Sequence, residues 1–149
     1  MTANTTPIFP ATPLNGIGSL AAATACTTRG PIAHASLGSS PCNAVQVIPS
    51  QTNGARIDKI AVQAISTAIG APTVAQTVII WLSDGTTAYP VDEIQITALT
   101  PSALIPAFNT SKQYTNLNLP TGWSLWASTT VTTTASTTAL AVQAFGGAY

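Results

Sequence analysis

Charge is what this sequence has least of. Four basic and four acidic side chains stand among 149 residues, so charged residues make up 5%, against roughly 25% in an ordinary soluble domain. A protein that neutralises phosphates needs a basic stripe. Arg29, Arg56, Lys59 and Lys112, set against four acids, cannot supply one, which excludes nucleic acid as a partner. Disorder is excluded too, because disordered chains combine low hydrophobicity with high net charge, whereas this one is 46% apolar and formally neutral. A neutral, weakly charged surface has little to hold copies apart in solution, so association is expected.

Long apolar runs are also missing. Thr, Ser, Gln or Pro interrupts every stretch well before the roughly 18 residues needed to span a bilayer, and a membrane location is not expected. The start, MTANTTPIFPATPLNG, has neither the basic n-region nor the continuous apolar h-region of a secretory signal. If the protein leaves its cell, the route expected is another one such as lysis, or a signal already removed.

Catalytic material is equally thin. Outside one charged cluster the chain has one histidine (His34), two aspartates (Asp84, Asp92) and one glutamate (Glu93), and none of the GxSxG, HExxH, P-loop or GxGxxG patterns. His34 in PIAHAS has no acid or cysteine near it in sequence and reads as a surface or loop residue. Asp84 precedes Gly85 and reads as a turn former that binds local amides. Asp92 and Glu93 are neighbours, so on a strand they face opposite ways and cannot act as a carboxylate pair; one is expected to face solvent, the other a cross-strand cation. No catalytic residue, cofactor or metal site is expected, and an enzyme is the least supported class. Cys26 and Cys42 match no zinc or CxxC spacing, and the spacing leaves two alternatives open: a disulfide, or two buried thiols.

What the chain does have is regular punctuation. Turn signals at RGP (29–31), GSSPC (38–42), SQTNG (50–54), GAP (70–72), SDGTT (83–87) and LPTGW (119–123) separate short β-branched and aromatic clusters, the pattern of an all-β sandwich or barrel. The clusters are Val45–Ile48, Ile57–Ile65, Val78–Leu82, Ile94 with Ile96, Leu125 with Trp126, and Leu140–Phe145. IIWLSDGTTAYPV reads as a hairpin about Asp84-Gly85, and STTVTTTASTTALAV (128–142) as two strands joined by a Thr-rich turn. Pro7, Pro10 and Pro13 make residues 1–16 read as an extended arm, with Ile8 and Phe9 as docking side chains and a frayed tail as the alternative, and leave 17–149 as one sandwich domain.

Two groups invite a binding role. TNGARIDKI (52–60) gathers Arg56, Asp58 and Lys59. Regular alternation would put Arg56 and Asp58 on one face as a pair, with Ile57 and Lys59 on the other, a staple for strand register or a contact for a partner subunit. Trp81, Trp123 and Trp126 keep a carbohydrate-binding platform open, although Trp123 and Trp126, three apart, cannot share a strand face.

The ordered set MTANTTPIF, NGARIDKI at 53–60, LPTGW at 119–123 and the terminal FGGAY resembles a family of small virion proteins of tailed bacteriophages. Members carry a similar NG-Arg-Ile-Asp segment and end in Phe-Gly-Gly-acid-Tyr. This chain departs from them at Ala148, where the acid is expected, and in the insertion-like CTTRGPIAHASLGSSPC loop. The resemblance implies a jelly-roll-like antiparallel β-sandwich acting as a capsid decoration or auxiliary head protein. It implies a location on the virion surface after synthesis in the host cytoplasm. The partners expected with it are the major capsid protein and further copies of the chain in a homo-oligomer, with a trimer as one stoichiometry. A carbohydrate-binding module on a virion and a major coat or tail-tube protein are the alternatives.

Overall fold

A computed structural model of the chain describes residues 10–149, so Ile8 and Phe9 lie outside the described residues. The described chain is all-β and antiparallel, without an α-helix; none of it is a helix long and apolar enough to cross a membrane. In chain order the strands are β1 (Thr12–Leu20), β2 (Ile32–Ala33), β3 (Gly38–Ser39), β4 (Cys42–Asn43), β5 (Val45–Ile48), β6 (Ala55–Ala64), β7 (Gln76–Ser83), β8 (Thr87–Ile96), β9 (Asn109–Leu119), β10 (Ser124–Thr129) and β11 (Leu140–Ala148). One sheet runs β1-β11-β6-β9, a second β2-β8-β7-β10-β5, and β3 and β4 form a small ribbon.

Both large sheets turn apolar faces to one core. Leu20, Ile57, Ile60, Val62, Leu119, Leu140 and Val142 come from the first, and Ile48, Val78, Ile80, Leu82, Ile94, Ile96 and Leu125 from the second. Period-two alternation puts these residues on one side of each strand while their neighbours face out. Register identifies the two ends. At the base, Thr12 lies opposite Ala148, Ala148 opposite Ala55 and Ala55 opposite Leu119. At the tip, Leu20 lies opposite Leu140, Leu140 opposite Ala64, and Gln63 opposite Asn109.

The two lateral margins are closed differently. On one, β1 crosses close to β5 because Gly16 and Gly18 have no side chains: a Cβ on Gly16 would stand 2.1 Å from the Val47 carbonyl oxygen. On the other, the Asp92 carboxylate of β8 reaches across to β9, accepting hydrogen bonds from the Lys112 ammonium at 2.6 Å and the Tyr114 hydroxyl at 2.5 Å.

β7 is buried along nearly its whole length, which requires cover on both faces. The core covers Val78, Ile80 and Leu82. The segment from Cys26 to Ala44 covers the other face, where Cys26, Leu37, Cys42 and Ala44 pack with Ile79, Trp81 and Ala88 into a second cluster, with Ile32 and Trp126 at its margin. Cys26 and Cys42 form a disulfide inside this cluster, which resolves the alternatives left by their spacing. The Trp81 indole N–H donates to the Ser128 hydroxyl at 2.8 Å, so the buried ring keeps its polar atom satisfied.

Two expectations need correction. The arm expected over residues 1–16 gives way to strand at Thr12; Pro13 falls on a sheet edge, where strands accommodate proline. Asp92 and Glu93 do not divide between solvent and a cation: Asp92 meets Lys112, and Glu93 meets Arg29 at 2.7 Å.

Replacing both Cys26 and Cys42 by alanine should cost about 3 kcal/mol of unfolding free energy, the chain-entropy value for a loop of about this length. Urea unfolding followed by tryptophan fluorescence measures it. A midpoint equal to wild type would mean that the covering segment docks without its bridge.

Candidate functional site

The opening charge cluster sits at the base of β6, and its geometry departs from regular alternation. Ala55 and Ile57 are buried, Arg56, Asp58 and Lys59 are partly exposed, and Ile60 and Val62 are buried again. The register shows why: Lys59 pairs with Phe145 and Ile57 with Gly146, so Asp58 has no partner on β11. This β-bulge rephases the strand. Ile57 and Lys59 therefore do not share a face, and all three charged side chains project outward.

Arg56 Nε donates to Asp58 Oδ1 at 2.7 Å, with 43% and 47% of the two side chains exposed. Such a pair contributes about 0 to 1 kcal/mol, so it orients the cluster more than it stabilises the fold. The Lys59 ammonium lies 5.2 Å from the centre of the Phe145 ring, within cation–π range. Gly146 makes the bulge possible, since a Cβ there would overlap the Arg56 carbonyl oxygen. A shallow groove beside the cluster is bordered by Pro10, Thr12, Arg56, Asp58 and Gly147, so the first described residue, Pro10, lies at its rim.

Outside the cluster, Asp84 and His34 are engaged in hydrogen bonds within the fold. Asp84 Oδ1 accepts the Thr86 and Thr87 amides at 2.7 Å each, and these bonds, Thr87 first, hold its carboxyl below the ordinary value. His34 meets a partner that sequence did not suggest, with its Nδ1 2.7 Å from the hydroxyl of Ser83. A nucleophilic serine would have to give its proton to this imidazole. Ser83 is fully buried, and its hydroxyl donates to the Thr87 carbonyl at 3.1 Å while accepting the Gly85 amide at 3.2 Å. The arrangement satisfying every group has His34 Nδ1–H donating to Ser83, the reverse of an activated nucleophile. The imidazole also packs edge-on against Trp126 at 5.5 Å. Among the described residues no three His, Cys, Asp or Glu side chains gather as metal ligands.

The tryptophans are not brought together. Trp81 is buried and Trp126 is partly covered in the second cluster, while Trp123 stacks on Tyr89 with ring centres 6.1 Å apart. A feature missed in sequence lies at the tip, where the β6–β7 and β8–β9 loops expose Ile65, Ile69, Val74, Leu104 and Ile105, with Ile69 84% and Leu104 94% exposed. Large apolar side chains exposed on neighbouring loops at one end of a domain are a feature of interaction surfaces. The available signal was two loops, 65–75 and 97–108, with several branched aliphatics and no charge at all.

No protein-family model matches the chain, and no curated protein or solved structure matches it significantly.

The clasp between β8 and β9 generates a pH prediction. Burial pushes the Asp92 carboxyl up, but hydrogen bonds from Lys112, Tyr114 and the Glu93 amide outweigh it and hold the group below its ordinary value. A depressed carboxyl stabilises the fold above its unfolded pKa of about 3.9 and loses that contribution as pH falls through the lower folded value. Asp92→Asn should therefore cost about 1 to 2 kcal/mol at pH 7, and its deficit against wild type should shrink below about pH 4. Denaturant titrations from pH 2 to pH 8 measure this; a deficit that stays constant across that range would show that the carboxylate charge is not what closes the margin.

Proposed function

We propose that the chain is a structural protein of a tailed-phage virion, a decoration or cement protein that binds the head surface as a homo-oligomer and bridges neighbouring copies of the major capsid protein. The observation that carries this is strand order. Leaving out the three two-residue strands, the sheets run first-eighth-third-sixth and second-seventh-fourth-fifth, the order of a jelly-roll sandwich, an architecture recurrent in viral capsid and lectin domains. Strand order supports a virion role by fold analogy. The choice within it comes from the surface: polar groups used to hold turns and margins, an uncharged apolar tip, and an outward cluster of Arg56, Asp58 and Lys59 at the base. These suit a protein that works by burying area against several neighbours and that catalyses nothing. The resemblance of NGARIDKI, LPTGW and FGGAY to small virion proteins points the same way.

Heads stripped of this protein should lose resistance to heat and to internal DNA pressure, and regain it when purified chain is added back. The Arg56→Ala and Asp58→Ala double variant should fold, as judged by circular dichroism, yet bind such heads at least tenfold more weakly. Stripped heads that keep full resistance would overturn the cement function. Normal binding by the double variant would reduce the cluster to solvated charge.

The Tyr89–Trp123 stack, with Tyr89 39% exposed, favours one second function, carbohydrate binding on a virion surface, since aromatic faces pack on sugar rings. A glycan array separates the two: binding abolished by Trp123→Ala supports it, and a blank array removes it. Assembly of the purified chain into open tubes or closed shells would instead indicate a coat or tail-tube protein.

A further inference from the structure

Among the described residues the first sheet ends in an edge without a further strand. β9 bonds to β6 on one side only and is the terminal strand, and most of its residues are exposed. It contains no proline and one charged residue, Lys112. The outer edge of β8 is protected differently, by Pro90, by a bulge beside it and by Asp92 and Glu93. Such devices blunt an edge against pairing; β9 has few of them. Its register to β6 is regular from Asn109 to Gln113 and then breaks, with Leu117 the next paired residue. Among the described residues five residues of regular edge therefore carry no strand on their outer side beside the tip, the clasp to Asp92 being made by the Lys112 side chain and leaving the backbone edge unpaired.

We infer that residues 2–6 of a second copy of this chain add to that edge as an antiparallel strand, so that copies are joined by exchange of their N-terminal arms. The arm offers TANTT over residues 2–6, a proline-free stretch of the same length, followed by Pro7-Ile8-Phe9-Pro10. β9 runs from tip to base, so an antiparallel arm runs toward the tip and brings Ile8 and Phe9 just past Asn109. There the surface forms a groove lined by Leu99, Ile105, Pro106 and Phe108. Main-chain bonds along the edge then supply affinity, and the apolar groove fixes register. One alignment satisfies both features.

The same geometry makes the exchange intermolecular. Within one copy the arm joins β1 at the base, on the opposite edge of the sheet from β9, three strand spacings or roughly 14 Å away. Residues preceding Pro10 that crossed that distance would reach β9 from its base and could lie along it only in the parallel sense. Every pairing of the two large sheets is antiparallel. A neighbour has no such constraint, and repeated exchange about a symmetry axis closes a ring.

The inference rests on the homo-oligomer of the proposed function but not on what that oligomer binds. Its test is disulfide trapping between differently tagged full-length chains, one carrying Asn4→Cys and the other Ser111→Cys. A covalent dimer of the two tags is expected, and none with Thr86→Cys, on the exposed β7–β8 turn, in place of Ser111→Cys. Deleting residues 1–9 should also reduce the sedimenting species to monomer while leaving circular dichroism unchanged. Absence of the mixed dimer, a cross-link formed only when both cysteines are on one chain, or an unchanged oligomer after truncation would each overturn the exchange. Binding to stripped heads is scored separately. Arm exchange without head binding refutes the head-surface function alone, and head binding without exchange refutes this inference alone.

Discussion

Everything in this fold follows from the need to cover β7 on both faces. Its residues are buried from Gln76 to Ser83 apart from Thr77, and with only eight charges in the chain no polar interaction compensates for an exposed apolar face. One face has the inter-sheet core. The other would be a bare sheet of Ile79 and Trp81 beside Trp126 were it not for the stapled segment from Cys26 to Ala44. Each fully buried aliphatic or aromatic side chain contributes about 1.5 to 3 kcal/mol, so the second cluster matters to stability on its own. The segment that looked like an insertion is a third layer.

With cover supplied from outside, the two sheets can close their margins by unlike means. Backbone approach through Gly16 and Gly18 closes one, and the Asp92 clasp to Lys112 and Tyr114 closes the other. Burial and the bond to Asp92 push the Tyr114 phenol up, so it stays a donor through any physiological pH. The polar groups thus go into the architecture. Among the described residues the apolar tip, the β9 edge and the small charged cluster at the base are exposed surfaces suited to contact with protein.

Much of this was legible in the sequence. Branched clusters between turn signals located β5, β6, β7, β8, β10 and β11, and Asp84-Gly85 marked the β7–β8 hairpin, because Gly85 takes the positive φ such a turn requires. β9 escaped notice because a strand with one neighbour and one covered face can be almost wholly polar, as NTSKQYTNLNL is. The faces of Arg56, Asp58 and Lys59 were misassigned because a bulge is set by the partner strand. Here it depends on Gly146, ninety residues further along the chain. The disulfide depended on a proximity that spacing alone cannot supply, and the His34–Ser83 contact joins side chains 49 residues apart.

The central claim is the proposal that this two-sheet antiparallel domain holds other proteins together on a phage head. A cryo-EM reconstruction of the particles that carry it tests this most directly. The account predicts density for the two-sheet domain on the outer head surface, in symmetric clusters over junctions between capsid subunits, with an added strand along β9. Particles without that density, or a shell or tube built from this chain itself, would contradict it.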